Sequence, residues 1–294
     1  MYDVIIIGAG PAGLTAAIYL RRANKSVLVL DGNGFGGAIV NTNKIDNYPA
    51  CYNISGYDFA NNLYKQAKEL GAVIKFEEVT GFDYKSKSVT TLKNKYDFKA
   101  LIIATGRETR KLGFEDKLVG KGVSYCAMCD GAFYKDKIVA VVGGGNSAID
   151  DAIYLADLAK KVYLIHRRDE FRADPKSLEL LKKKNNIKYV LNSVVTKVNG
   201  TDHLTSIIVK TDNKTKEFKV EGLFIAIGGV PATNLFKDVI KLNEEGYIKG
   251  RGSHTNKQGI FVAGDVREKE IRQLVTATSD GAIAAVEAIK YLNK

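Results

Sequence analysis

Val4-Ile5-Ile6-Ile7-Gly8-Ala9-Gly10-Pro11-Ala12-Gly13 is the stretch on which the fold turns. A short β-branched run of this kind suits a strand buried on both faces of a parallel sheet. It leads straight into G-x-G-x-x-G, and Leu14-Thr15-Ala16-Ala17-Ile18-Tyr19-Leu20 then reads as a helix. Ser26-Val27-Leu28-Val29-Leu30 reads as the next strand, ended by Asp31. Glycines allow a tight turn and close approach to a pyrophosphate, and the helix N-terminus supplies N–H donors and positive potential. The terminal carboxylate can accept from ribose hydroxyls. The glycine loop alone would equally suit tight helix–sheet packing; strand, loop, helix, strand and acid in this order predict a dinucleotide site.

The unit recurs. Lys137-Ile138-Val139-Ala140-Val141-Val142 reads as a strand, Gly143-Gly144-Gly145-Asn146-Ser147-Ala148 is G-x-G-x-x-A, and a helix is expected from Ile149 to Lys160. Val162-Tyr163-Leu164-Ile165 is the second strand of this copy, and His166-Arg167-Arg168 ends it, with Arg172 close behind. From first glycine to strand end is 23 residues in both copies. A carboxylate there suits a free 2′-hydroxyl, and arginines suit a 2′-phosphate. Two charge-assisted hydrogen bonds of roughly 1.5–3 kcal/mol each would favour NADP over NAD by about 10² to 10⁴. His166 by itself reads as structural sooner than chemical.

Between the two copies stands Tyr125-Cys126-Ala127-Met128-Cys129-Asp130-Gly131. A C-x-x-C can be half of a zinc site, a redox dithiol or chance. Zinc needs about four ligands, and the rest of the chain offers Cys51, His203 and His254 without partner spacing. The chain has no tryptophan, which a thioredoxin-like active site usually carries before its first cysteine. A dithiol working beside a cofactor is the favoured reading, with one thiolate stabilised near a helix start. Asp130 would then give or take a proton, unless it serves as a helix N-cap. Cys51 reads as a free structural thiol.

Composition bounds the rest. The 294 residues suffice for two domains, and 45% apolar with 26% charged residues is a globular balance. The net charge of +11 is spread over scattered lysines; it steers anions such as dinucleotides and acidic partners, and no nucleic-acid recognition motif accompanies it. Three cysteines are too few for a disulfide-built secreted scaffold. No apolar run approaches the ~20 residues of a membrane span, and the N-terminus carries no leader pattern, so a cytoplasmic protein is expected, with no membrane and no nucleic acid as partner. Phe59 to Leu70 has helical spacing, Asp83 to Lys99 suggests a hairpin, and Ala100 to Gly106 reads as a buried strand ending in small residues.

Together with Arg110-Lys111-Leu112-Gly113, Gly122-Val123-Ser124, Gly259-Ile260-Phe261-Val262-Ala263-Gly264-Asp265 and Arg272-Gln273-Leu274-Val275-Thr276-Ala277, these motifs resemble the low-molecular-weight thioredoxin reductases, flavoproteins of the pyridine nucleotide-disulfide class. The resemblance covers nearly the whole chain. It implies an α/β protein of two Rossmann-like, three-layer ββα dinucleotide-binding domains. The NADP domain, 110–234, would carry the C-x-x-C and be inserted into an FAD domain made of 1–109 and 235–294. FAD would be held by Gly8, Gly10, Pro11, Ala12, Gly13, Asp31, Gly32, Gly36, Gly37, Ala38, Asn47, Val79, Ala104, Thr105, Gly106, Gly264, Asp265, Arg272, Gln273, Leu274 and Ala277. NADPH would be held by Gly143, Gly145, Asn146, Ser147, His166, Arg167, Arg168 and Arg172. A helix from Ala282 onward would aim its positive end at the flavin. Ala38, Arg107 and Gly229 depart from the residues usual in the family.

The resemblance further implies a homodimer that passes hydride from NADPH to FAD and electrons on to Cys126–Cys129. Attack would fall on Cys129, Asp130 would protonate the leaving thiolate, and Cys126 would reduce thioredoxin as the inserted domain rotates. The alternatives are a related reductase serving a glutaredoxin-like or peroxidase-linked protein, or one fed by ferredoxin. Relatives of the ferredoxin-fed kind lack the second glycine loop and its arginines, which this chain has. A non-catalytic nucleotide-binding protein would have no use for the cysteine pair.

Overall fold

The computed structural model describes residues 1–42, 44–212 and 214–294. The chain divides into two compact units, one made of Met1–Glu108 and Val230–Lys294, the other of Thr109–Gly229.

In the first unit five strands run parallel in the order Val73–Lys75, Val27–Leu30, Tyr2–Ile7, Lys95–Ile103 and Ile260–Val262. The early half of Lys95–Ile103 also pairs antiparallel with Ser88–Thr91, and that strand with Val79–Asp83. Strand side chains alternate between faces, and the sheet uses both. Val4, Ile6, Val27, Val29 and Ile102 pack on the helices Pro11–Arg22 and Leu274–Leu292. Ile5, Ile7, Leu28, Leu30 and Ile103 face Val89, Phe98, Phe236 and Ile248. Burial on both sides explains the continuous apolar runs.

The second unit repeats this plan. Its parallel order is Ile187–Val190, Lys161–Ile165, Ile138–Val142, Gly222–Ile225 and Val123–Ser124. Val139, Val141 and Leu164 pack on the helix Asn146–Ala156, while Ala140, Val142 and Ile165 face the antiparallel sheet of Ser193–Asn199, Ser206–Thr211 and Lys214–Lys219. In both units the fifth parallel strand comes from outside the contiguous βαβ run, from after it in the first and before it in the second.

Two helix starts differ from the sequence reading. The helix expected over Phe59 to Leu70 begins at Gly56, where Ser55 accepts from the Asp58 N–H at 3.0 Å. The C-terminal helix begins at Leu274, two turns before Ala282, behind a capping box of Gln273 and Thr276. Gly281, which looks like a helix breaker, sits inside it because the helix crosses Pro11–Arg22 closely: a Cβ there would stand 2.1 Å from the Ala12 carbonyl oxygen.

Candidate functional site

In the first unit the glycine loop is set by close backbone approach. Gly8 has φ +111°, and a Cβ on it would lie 2.2 Å from the Ala104 carbonyl oxygen; one on Gly13 would lie 1.9 Å from that of Gly8. The residues at 8, 13 and 104 therefore lock strand, turn and helix together, whereas Gly10 at the helix N-cap has open space beside it. No side chain caps this helix, so its N-terminal N–H groups remain for an anion. Asp31 is held ready: its Oδ2 accepts from the Ala9 N–H at 2.7 Å and its Oδ1 from the Asn33 N–H at 2.8 Å. Each oxygen keeps acceptor capacity.

Other residues predicted for this site gather around the loop. The Gly36 N–H donates to the Ala9 carbonyl at 2.7 Å, and Gly37 lies against Gly10. Gly32 packs on Glu78, next to Val79. Gly264 packs on Ala12. Thr105 Oγ1 donates to the Ala232 carbonyl at 2.8 Å, and the Ala232 N–H donates to the Gly106 carbonyl at 3.1 Å. Asn47 Nδ2 donates to Gln273 Oε1 at 3.3 Å. The Arg272 guanidinium lies 4.2 Å from the Tyr247 ring centre. Among the described residues two buried polar atoms here have no hydrogen-bond partner, Arg272 Nε and Asp265 Oδ1, the latter with only the Lys269 ammonium at 3.6 Å. Hydrogen-bonding capacity left over in this way, beside an uncapped helix and an open glycine turn, fits a large polar ligand such as a flavin dinucleotide.

The second loop repeats the lock. Gly143 has φ +152°, and a Cβ on it would lie 2.3 Å from the Ala226 carbonyl oxygen. Gly145 is the N-cap of the helix Asn146–Ala156, again with no side-chain cap. Gly144 leaves room for the His166 ring, whose atoms a Cβ would meet at 2.3 Å. His166 is buried, and burial together with Arg168, Arg167 and Arg172 holds its pKa below the ordinary value, so the ring is neutral near pH 7. Among the described residues its Nε2 has no hydrogen-bond partner. The Arg172 N–H donates to the Gly144 carbonyl at 2.7 Å, and Asn146 Oδ1 accepts from the Asp174 N–H at 2.8 Å, tying the basic segment to the loop. Arg167 and Arg172 are exposed and Arg168 half-buried. This donor set fits a 2′-phosphate.

Cys126 and Cys129 are joined in a disulfide with Cα atoms 5.3 Å apart. Cys126 is the N-cap of the short helix Ala127–Asp130, and its carbonyl accepts from the N–H groups of Cys129 and Asp130 at 3.2 and 3.1 Å. Asp130 ends this helix, and its side chain caps neither it nor the following Gly131–Tyr134 turn, so the N-cap reading is set aside. Instead Oδ2 accepts from Ser124 Oγ at 2.6 Å. Burial raises the Asp130 pKa above the usual carboxylate range, against the opposing Ser124 bond. An acid whose pKa is raised in this way is suited to give up a proton to a thiolate. Cys51 is a free, half-buried thiol.

Several residues around these sites escaped the sequence reading. Glu115 is fully buried and accepts from the N–H groups of Leu112, Gly113 and Phe114 at 2.7 to 2.9 Å, and from the Tyr125 hydroxyl at 2.8 Å. Burial opposes its charge, but these donors outweigh it and hold the pKa below the ordinary value. Tyr125 is raised by its own burial and by Glu115. Asp280 accepts from the Gly264 N–H, Arg267 and Lys269 at 3.2, 2.6 and 2.9 Å, which fixes the Gly264–Asp265 turn. Its signal was an acid on the apolar face of a helix. Among the described residues no cluster of His, Cys, Asp and Glu could hold a metal ion, and no helix is long and apolar enough to cross a membrane.

The chain matches the family model described as pyridine nucleotide-disulphide oxidoreductase over residues 2–281. It is 41% identical to the thioredoxin reductase of Bacillus subtilis (strain 168), covering 100% of this chain and 96% of that protein. It is 44% identical to a 34.2 kDa protein in the rubredoxin operon of Clostridium pasteurianum, covering 99% of this chain and 97% of that protein. The crystal structure of thioredoxin reductase from Streptococcus pyogenes MGAS5005 superposes with a TM-score of 0.95 at 38% identity, covering 100% of this chain and 98% of that one.

Proposed function

The chain belongs to the pyridine nucleotide-disulphide oxidoreductase family, and from that premise we propose that it reduces the disulfide of thioredoxin with electrons from NADPH, through FAD and the Cys126–Cys129 pair. FAD, when bound, would supply two-electron transfer from a nicotinamide to a disulfide. The observation that carries the reading is the Cys126–Cys129 disulfide followed directly by a buried acid of raised pKa, in a chain with two nucleotide loops of opposite terminal charge.

The first unit serves as the FAD domain. The N-terminal N–H groups of its Pro11–Arg22 helix bind the pyrophosphate, Asp31 accepts from the adenosine ribose, and Asp265 Oδ1 and Arg272 Nε take up ligand polar groups. The second serves as the NADP domain, in which Arg167, Arg168 and Arg172 meet the 2′-phosphate and Gly143, Gly145, Asn146 and Ser147 the pyrophosphate. Asp130 protonates the thiolate released when the disulfide takes up electrons, and Cys126 attacks the thioredoxin disulfide. The apolar residues Val275, Ile283 and Val286, exposed on the C-terminal helix, support a homodimer. The cytoplasm is the matching compartment, since a dithiol fed by NADPH turns over where thiols are kept reduced.

An anaerobic titration tests this reading. NADPH should bleach the flavin at much lower concentration than NADH, and oxidised thioredoxin should restore the colour. Restoration by glutaredoxin but not by thioredoxin would move the acceptor. Flavin that neither nicotinamide bleaches would point to ferredoxin as donor.

A further inference from the structure

We propose that Ser124 is the positioning residue of the redox loop, its hydroxyl linking the Asp130 carboxyl to the Cys126 peptide so that the proton state of the acid is relayed to the backbone that holds the disulfide. The proposal rests on the reading of Asp130 as the proton donor. Ser124 Oγ accepts from the Cys126 N–H at 3.0 Å, stands 3.3 Å from the Cys126 carbonyl oxygen and donates to Asp130 Oδ2 at 2.6 Å. A hydroxyl has a single proton to give. While Asp130 is ionised, that proton goes to Oδ2. Once Asp130 is protonated, the carboxyl O–H donates to Ser124 Oγ, and the serine proton turns to the Cys126 carbonyl. The same carbonyl accepts from Cys129 and Asp130, so the relay acts on the turn that carries both sulfurs.

The balance closes. Bound FAD would supply the two electrons of the NADPH hydride, its proton passing to water, and the sulfur–sulfur bond breaks into two thiolates. One takes the proton that Asp130 gives up and becomes a thiol. Asp130 becomes a carboxylate, and the Ser124 proton returns to Oδ2. Oxidation by the disulfide of thioredoxin runs these changes backwards.

Ser124 is buried at the end of the short strand Val123–Ser124, in register with Phe224 of the neighbouring strand. Tyr134 on the next turn is pushed up to about 12, by its burial first and then by Asp130. Tyr154 of the helix Asn146–Ala156 lies against Gly131, and Asp150 on that helix accepts from Ser177. Glu115 is engaged by Tyr125 and three backbone donors. For Asp130 itself, burial and the Ser124 bond set the balance.

The test uses the flavin-loaded enzyme. Removing a hydrogen bond to the carboxylate raises its pKa, so Ser124→Ala should move the alkaline limb of kcat/KM for thioredoxin upward by roughly one pH unit. Ser124→Thr should restore it. Infrared difference spectra supply a readout apart from turnover: the protonated carboxyl band, assigned by its loss in Asp130→Asn, should persist to higher pH in Ser124→Ala. An unmoved limb and band, with only the melting temperature lowered, would overturn the proposal and leave serine a packing residue. A limb that survives in Asp130→Asn would overturn the acid assignment beneath it, and the proposal with it.

Discussion

The two nucleotide units share one frame and differ at its tips. Gly8 and Gly143 hold the same place, both at positive φ, each facing a carbonyl oxygen of a neighbouring strand end, Ala104 or Ala226. Five residues on, the frames diverge: Gly13 presses on its own loop, while Ala148 carries a Cβ in the matching place. At the end of the second strand one unit presents Asp31 and the other the cluster from His166 to Arg172. The fold is thus set by backbone approach that both share. What differs between the units is the charge presented at the matched strand end.

The strongest way to break this comparison is to remove the charge and leave the frame. The double variant Arg167→Ala/Arg168→Ala should lower kcat/KM for NADPH by about 10² to 10⁴, the worth of two charge-assisted hydrogen bonds, with NADH changed only a few-fold. An equal fall for both would mean that the arginines serve the frame. Next is the frame itself. Gly13→Ala places a Cβ 1.9 Å from the Gly8 carbonyl oxygen and should cost about 3 kcal/mol in urea unfolding, with loss of flavin. Ala148→Gly should cost only about 1 kcal/mol, the helix penalty of glycine. Equal costs would show that the loops tolerate the same strain.

A smaller effect separates the units by pH. Asp3 accepts from the Ser26 N–H and hydroxyl and from Lys99, which together, with the Lys99 bond foremost, hold its pKa at about 2 against an ordinary 3.8. A carboxyl depressed on folding stabilises fully above its unfolded pKa and loses that contribution as pH falls through the folded one. In the second unit Lys137 stands ahead of the equivalent strand. Asp3→Asn should therefore destabilise by at most about 1 kcal/mol near pH 6, solvent screening included. The gap from the parent should close as the pH of the urea titration approaches 2.

Much of this frame was legible in the sequence because it is local: β-branched runs, glycines at fixed offsets, and an acid or bases at matched distance. The fifth strands were not. Ile260–Val262 and Val123–Ser124 are too short to show a period, and only pairing with Lys95–Ile103 and Gly222–Ile225 makes them strands. The start of the C-terminal helix was missed because Gly281 resembles a stop until Ala12 is seen beside it. Around the disulfide, the cysteines announced themselves. Ser124 and Glu115 are ordinary residues whose roles depend on a buried hydroxyl meeting Asp130 and on three backbone N–H groups converging on one carboxylate.

The placement of Ile260–Val262 also bears on how the protein is made. A ribosome delivers Tyr2–Ile7 first, yet the sheet built on that strand stays open along Leu101–Ile103, the end of the next strand, until residues 260–262 have emerged. All five parallel strands of the second unit lie between residues 123 and 225, so that unit can close while its host is incomplete. The nascent chain must carry an unpaired sheet edge through most of its synthesis, the state most open to pairing with other chains. Translation stalled shortly before residue 260 should release a folded inner unit on an aggregation-prone outer one.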